Sequence, residues 1–136
     1  MVDQTEGNRP QSEGAADETS IGMEPNVGGA LCYLLGILTG ILFYVIEKEN
    51  DFIRFHAMQS IIVFGGFFVL STSLSFITGF LSYIPVFGWI AAVLLGLVSL
   101  LLLPVIFVLW LFLMYKAFNG ERYELPVVGK YANEYM

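Results

Sequence analysis

The stretch from Phe55 to Tyr115, FHAMQSIIVFGGFFVLSTSLSFITGFLSYIPVFGWIAAVLLGLVSLLLLPVIFVLWLFLMY, contains no Asp, Glu, Lys or Arg, and His56 is its one readily charged side chain. A soluble fold of 136 residues cannot hide that much Leu, Ile, Val and Phe, whereas a bilayer requires it. A spanning helix takes roughly 20 apolar residues, so this stretch holds at least two spans, with room for another before it. The expected fold class is all-α: a polytopic helical membrane protein.

Working outward, composition agrees. Hydrophobic residues make up 57% of the chain and charged ones 13%, against a globular norm of about 25% charged. The net charge of −6 is concentrated at the start. Asp3, Glu6, Glu13, Asp17, Glu18 and Glu24 face Arg9 alone there. Residues 1–24, rich in Gly, Ser, Gln and acids, have too little apolar surface to offset the entropy of ordering, so a disordered acidic tail is expected. It lacks the basic start and apolar run of a signal peptide. The few, scattered Lys and Arg exclude nucleic acid as a partner.

The transmembrane domain is expected over residues 25–118, with spans at about 26–46, 52–82 and 88–116. Pro25 starts the first, and the polar turn from Glu47 to Asp51 ends it. Pro85 and Gly88 make the next turn. The third block allows one helix kinked at Pro104 or two shorter ones, which would give four spans. One helix is favoured, because a turn at Pro104 would leave backbone groups unpaired in lipid. Trp89 and Trp110 also stand roughly 31 Å apart on a single helix, placing one at each interface. Lys48 and Arg54, with Lys116, Arg122 and Lys130, would share one side under three spans. Positive residues collect in the cytoplasm, so the N-terminus is expected outside and the C-terminal segment, 119–136, inside.

Small residues recur every four positions at Cys32, Gly36 and Gly40, and again at Gly88, Ala92 and Gly96, a pattern that lets helices approach closely within a monomer or between copies. Cys32, the lone cysteine, is read as part of that packing face. Ser60, Ser71, Ser75, Thr78 and Ser82 fall within roughly 60° of arc on the second helix. They form a possible polar groove, or bond carbonyls one turn back.

The most distinctive polar feature is the run Phe52-Ile53-Arg54-Phe55-His56-Ala57-Met58-Gln59-Ser60. Arg54 can snorkel to the interface, while His56, Gln59 and Ser60 share one helix face. An ionisable group at a span's mouth marks either a functional site or an anchor. Glu47, Glu49 and Asp51 offer carboxylates for a divalent cation, but Lys48 and Arg54 lie alongside and no Gly permits a tight loop, so a solvated turn is expected. No Ser or Cys has an oriented base beside it, so no enzyme, cofactor or metal is expected.

This run, the Leu-rich first span and the closing Lys116-Ala117-Phe118-Asn119-Gly120-Glu121-Arg122-Tyr123-Glu124-Leu125-Pro126 resemble a group of small prokaryotic membrane proteins of unknown function. They are grouped with the channel-like import component of the chloroplast inner envelope, the Tic-twenty-like family. The resemblance covers about residues 24–132. It implies a helical membrane fold, with translocation as a possibility. The expected function is therefore that of a non-enzymatic membrane protein acting through helix assembly, with itself or with membrane machinery. The alternative is a component of a protein-translocation or channel-like complex.

Overall fold

The computed structural model describes residues 19–136. The expected tail over residues 1–18 lies outside them. Five helices follow: α1 (Pro25–Leu34), α2 (Ile37–Ile46), α3 (Asp51–Leu81), α4 (Phe87–Phe118) and α5 (Val128–Tyr135).

Two helices, α3 and α4, are long and apolar enough to cross a membrane, which corrects the expectation of three. The block expected as a first span is broken. Helix α1 stops at Leu34, and Gly36 takes φ +62° before α2 begins. That left-handed conformation is one that glycine adopts without a Cβ penalty. At 1.5 Å per residue each ten-residue piece is about 15 Å long, half a bilayer core.

The direction of the two pieces follows from their contacts with α3. Along α1, a Cβ on Gly28 would fall 2.6 Å from Ile53, and one on Gly36 would fall 3.1 Å from Phe64. The chain thus ascends parallel to α3. Along α2 it returns, with Gly40 against Ala57 and Ser60, and then Arg54 on the Tyr44 carbonyl. Helices α1 and α2 form a helical hairpin that starts and finishes at the N-terminal end of α3. The Ser20 N–H closes it, 3.0 Å from both carboxylate oxygens of Glu47. The last residues of the expected disordered segment are therefore held in a turn, with Ile21 and Met23 packed on the core.

Asn50 caps α3, its side chain accepting from the Ile53 N–H at 3.1 Å. A tight turn follows Leu81, and α4 runs back as one continuous helix with Pro104 inside it, as expected from the cost of a break in lipid. The C-terminal segment then folds over the N-terminal end of α3. The Tyr44 hydroxyl donates to the carbonyl of Tyr135 at 2.8 Å. Hence residue 20 and residue 135 lie at the same end of the molecule. The buried core is confined to that end: Cys32, Phe43, Phe52, Ile53 and Ala57 form one cluster, and Ala30, Tyr33, Leu113 and Ala117 another.

Candidate functional site

A helix that stops within apolar surroundings leaves carbonyls without partners. Such a break is tolerated at membrane depth only where protein groups satisfy it. Here three other elements supply them. The Ser60 hydroxyl on α3 lies 2.8 Å from the Cys32 carbonyl and 3.0 Å from that of Gly36. The Thr39 hydroxyl on α2 lies 3.0 Å from the Cys32 carbonyl and accepts the Leu35 N–H. The Trp110 indole on α4 donates to the Tyr33 carbonyl at 2.6 Å. Trp110 therefore ties α4 to the hairpin tip, a role that its expected position in an interfacial belt did not suggest.

Below the tip lies a fully buried network of Tyr33, His56 and Gln59. The Gln59 amide donates to the Tyr123 carbonyl at 3.0 Å, and its oxygen accepts the Leu125 N–H at 3.2 Å. These two bonds fix which end of the amide is which. The same nitrogen donates to the Tyr33 hydroxyl at 3.1 Å. The hydroxyl's own proton is then directed at His56 Nδ1, 2.8 Å away. With Nδ1 accepting, the ring proton is assigned to Nε2, which has no hydrogen-bond partner among the described residues. From the C-terminal segment the Glu121 backbone and the Arg122 charge both bear on the ring. Phe52 and Phe55 meet the imidazole edge-on, with centroids 4.5 and 5.2 Å away.

Of the four residues expected to act together, His56, Gln59 and Ser60 converge on α1. Arg54 does not join them. Its guanidinium donates to the carbonyl of Glu47 at 2.8 Å and stacks on the Tyr44 ring, a cation at the C-terminus of α2 where the helix dipole favours one. Glu47 is not a solvated turn residue. It is buried, and its carboxylate accepts N–H bonds from Ser20, Glu49 and Asn50. Burial acts to raise its pKa, but the backbone donors outweigh that and hold the carboxyl below its ordinary value. Among the described residues no group of His, Cys, Asp and Glu is arranged to hold a metal.

Cys32, Gly36 and Gly40 do not share one helix face, because the chain reverses at Gly36. Cys32 donates to the Gly28 carbonyl, and Gly40 lies against α3. Gly88 fits against the Leu81 carbonyl in the α3–α4 turn, whereas Gly96 faces open space and Ala92 is half-buried. Ser71, Ser75 and Thr78 each bond a carbonyl of their own helix. Sequence reasoning missed Tyr33, Thr39, Trp110 and Tyr123. For Tyr33, Thr39 and Trp110 the one visible signal is a polar or amphipathic side chain inside an apolar run, whereas Tyr123 lies in a polar stretch and acts through its backbone carbonyl.

Two apolar helices, a broken half-depth hairpin and a polar lock at one end define a small helical membrane protein. The chain belongs to the magnetosome magnetite crystal formation protein family, MamF/MmsF, which it matches over residues 18–132. It is 50% identical over 118 residues to a UPF0132 membrane protein of Methanocaldococcus jannaschii, covering 87% of this chain and 94% of the relative. A UPF0132 membrane protein of Archaeoglobus fulgidus is 47% identical over 112 residues, or 82% and 95% of the two chains. These matches support the small prokaryotic membrane family expected from the Phe52–Ser60 run; a likeness to the chloroplast import component is not among what they show. No solved structure matches the chain.

Proposed function

We propose that this protein is a non-enzymatic membrane protein that works by helix assembly, with copies of itself or with other membrane proteins. The observation that carries the reading is Gly96. A Cβ there would meet nothing within 4 Å, and the glycine borders a slot of about 350 Å³ between α3 and α4 that Ser71, Ser75 and Ser99 also line. Small and hydroxyl-bearing residues facing open space inside the membrane are the groups that helix–helix contacts use. The family description concerns magnetite crystal formation; the present reading draws on its membrane setting alone.

The orientation changes with the span count. With two spans and a hairpin that returns, the two ends of the described chain, near residues 20 and 135, fall on one side. Lys48, Arg54, Lys116, Arg122 and Lys130 all belong to that end, and the α3–α4 turn has no Lys or Arg, so the positive-inside tendency favours a cytoplasmic location for both. A translocation role would use the same slot, but the hydroxyls of Ser71, Ser75 and Thr78 are already engaged within α3.

Crosslinking tests the assembly reading. In a Cys32→Ser background, Gly96→Cys should crosslink to a second copy or to another membrane protein in native membranes. Absence of any protein crosslink at position 96, while the same cysteine reacts with a membrane-permeant maleimide, would leave the slot to lipid and refute the reading.

A further inference from the structure

Helix α5 has three distinct faces. Gly129 and Ala132 are buried, with Gly129 against Glu124 of the preceding segment. Around one flank come Tyr131 and Tyr135, both exposed and four apart, so they form one stripe, with the exposed N-cap residue Val127 just before the helix. Around the other come Lys130 and Glu134, also exposed. A helix at a protein's watery end needs two faces, one toward the core and one toward solvent. A third, aromatic face suits a helix lying at the boundary between water and hydrocarbon, where tyrosine rings are favoured.

Its location fits. Helix α5 sits where the apolar surfaces of α2 and α4 end, bonded through the Tyr135 carbonyl to Tyr44. Exposed Ile46 on α2, and exposed Tyr115 and Phe118 on α4, stand at the same end. The exposed tyrosines of α5 thus stand at the same end as these apolar and aromatic side chains. At the far end Tyr83, Phe87 and Trp89 are exposed as their counterpart. The polar flank is anchored as well. Asn133 bridges Arg122 and Glu124, which fixes the roll of α5 about its axis and with it the direction of the tyrosines.

We infer that α5 is an interfacial helix whose Tyr131–Tyr135 face rests in the headgroup–acyl boundary of the bilayer, with Lys130 and Glu134 in water. The assignment rests on the two-span membrane reading. Its consequence is that the C-terminal segment is a lipid-contacting surface that also packs on the buried Gln59 network through Tyr123 and Leu125.

The test uses the full chain with Cys32→Ser, reconstituted in phosphatidylcholine–phosphatidylglycerol vesicles and spin-labelled at single cysteines. Tyr131→Cys and Tyr135→Cys should be more accessible to oxygen than to a water-soluble nickel chelate, and Lys130→Cys and Glu134→Cys the reverse. Phe76→Cys on α3 is the membrane control. If position 76 reads as lipid while positions 131 and 135 read as water, the inference is overturned and the two-span reading stands. If 131 and 135 are shielded from both quenchers, protein rather than lipid covers the face, and the inference is equally overturned. If position 76 itself reads as water, the membrane reading fails. Should the tyrosine variants unfold, Val127→Cys at the exposed N-cap reads the start of α5 instead: greater access to oxygen supports the inference, and greater access to the nickel chelate overturns it.

Discussion

Ser60 on α3 stands 2.8 Å from the carbonyl of Cys32 on α1, and contacts of this kind let α1 stop halfway across apolar surroundings. The hairpin tip combines a glycine at positive φ with hydroxyl and indole donors from three other helices. Removing any one donor deletes one of these bonds, while each carbonyl keeps another partner.

Ser60→Ala should therefore destabilise the protein by about 0.5–1.5 kcal/mol, the net worth of a hydrogen bond whose carbonyls keep other donors. Gly36→Ala should cost about 1–2 kcal/mol from the left-handed backbone alone, and more from contact with Phe64. Thermal unfolding in mild detergent reads both. A wild-type transition for Ser60→Ala would mean that Thr39 alone satisfies the Cys32 carbonyl.

Tyr33 and His56 should behave as one unit. Tyr33→Phe strips His56 Nδ1 of its donor, and His56→Phe strips Tyr33 of its acceptor, so each single change should destabilise by about 1–3 kcal/mol. The double variant should cost less than the sum, with a coupling above about 0.5 kcal/mol. Strict additivity would show that the pair is not coupled.

Gly40 and Gly96 should separate folding from assembly. Leucine at position 40 must displace the Ala57 carbonyl and Ser60, 3.1 and 3.2 Å from a Cβ, so Gly40→Leu should lower the melting temperature. Gly96→Leu should leave monomer melting unchanged and weaken oligomers on native gels. Equal effects on melting would contradict this division.

Much of this fold is legible in the chain because lipid imposes a simple rule. The uncharged run from Phe55 to Tyr115 yields α3 and α4, and Pro104 stays within one helix because a lipid-exposed break has no donors to satisfy it. The hairpin at Gly36 is opaque for the same reason inverted. Gly36 in an apolar run reads as a packing glycine, and the groups that make its break tolerable, Ser60 and Trp110, lie 24 and 74 positions away. His56, Gln59 and Ser60 are recognisable as one helix face. Their partners Tyr33 and Tyr123 are not, since they come from other elements. Arg54 looks like a member of that cluster, yet one helical register turns it to the end of α2.

Glu47 gives the pH dependence. Its folded pKa lies below the ordinary carboxyl value of 4.5, so the ionised form is stabilised on folding. That contribution is fully present above the unfolded value and is lost as pH falls through the folded one. Melting temperature should decline below about pH 4.5, and Glu47→Gln should flatten the decline while lowering stability at pH 7. An unchanged profile in Glu47→Gln would assign the acid sensitivity to other carboxylates.

The central claim is that α1 and α2 form a hairpin that returns to its own side, leaving two spans. Single cysteines at Ser20, Tyr83 and Glu134, in the Cys32→Ser background, report it most directly through labelling of intact cells with a membrane-impermeant maleimide. The account predicts that positions 20 and 134 are both protected until the cells are opened, while position 83 labels at once. Labelling of position 20 in intact cells, with position 134 protected, would contradict it and restore three spans.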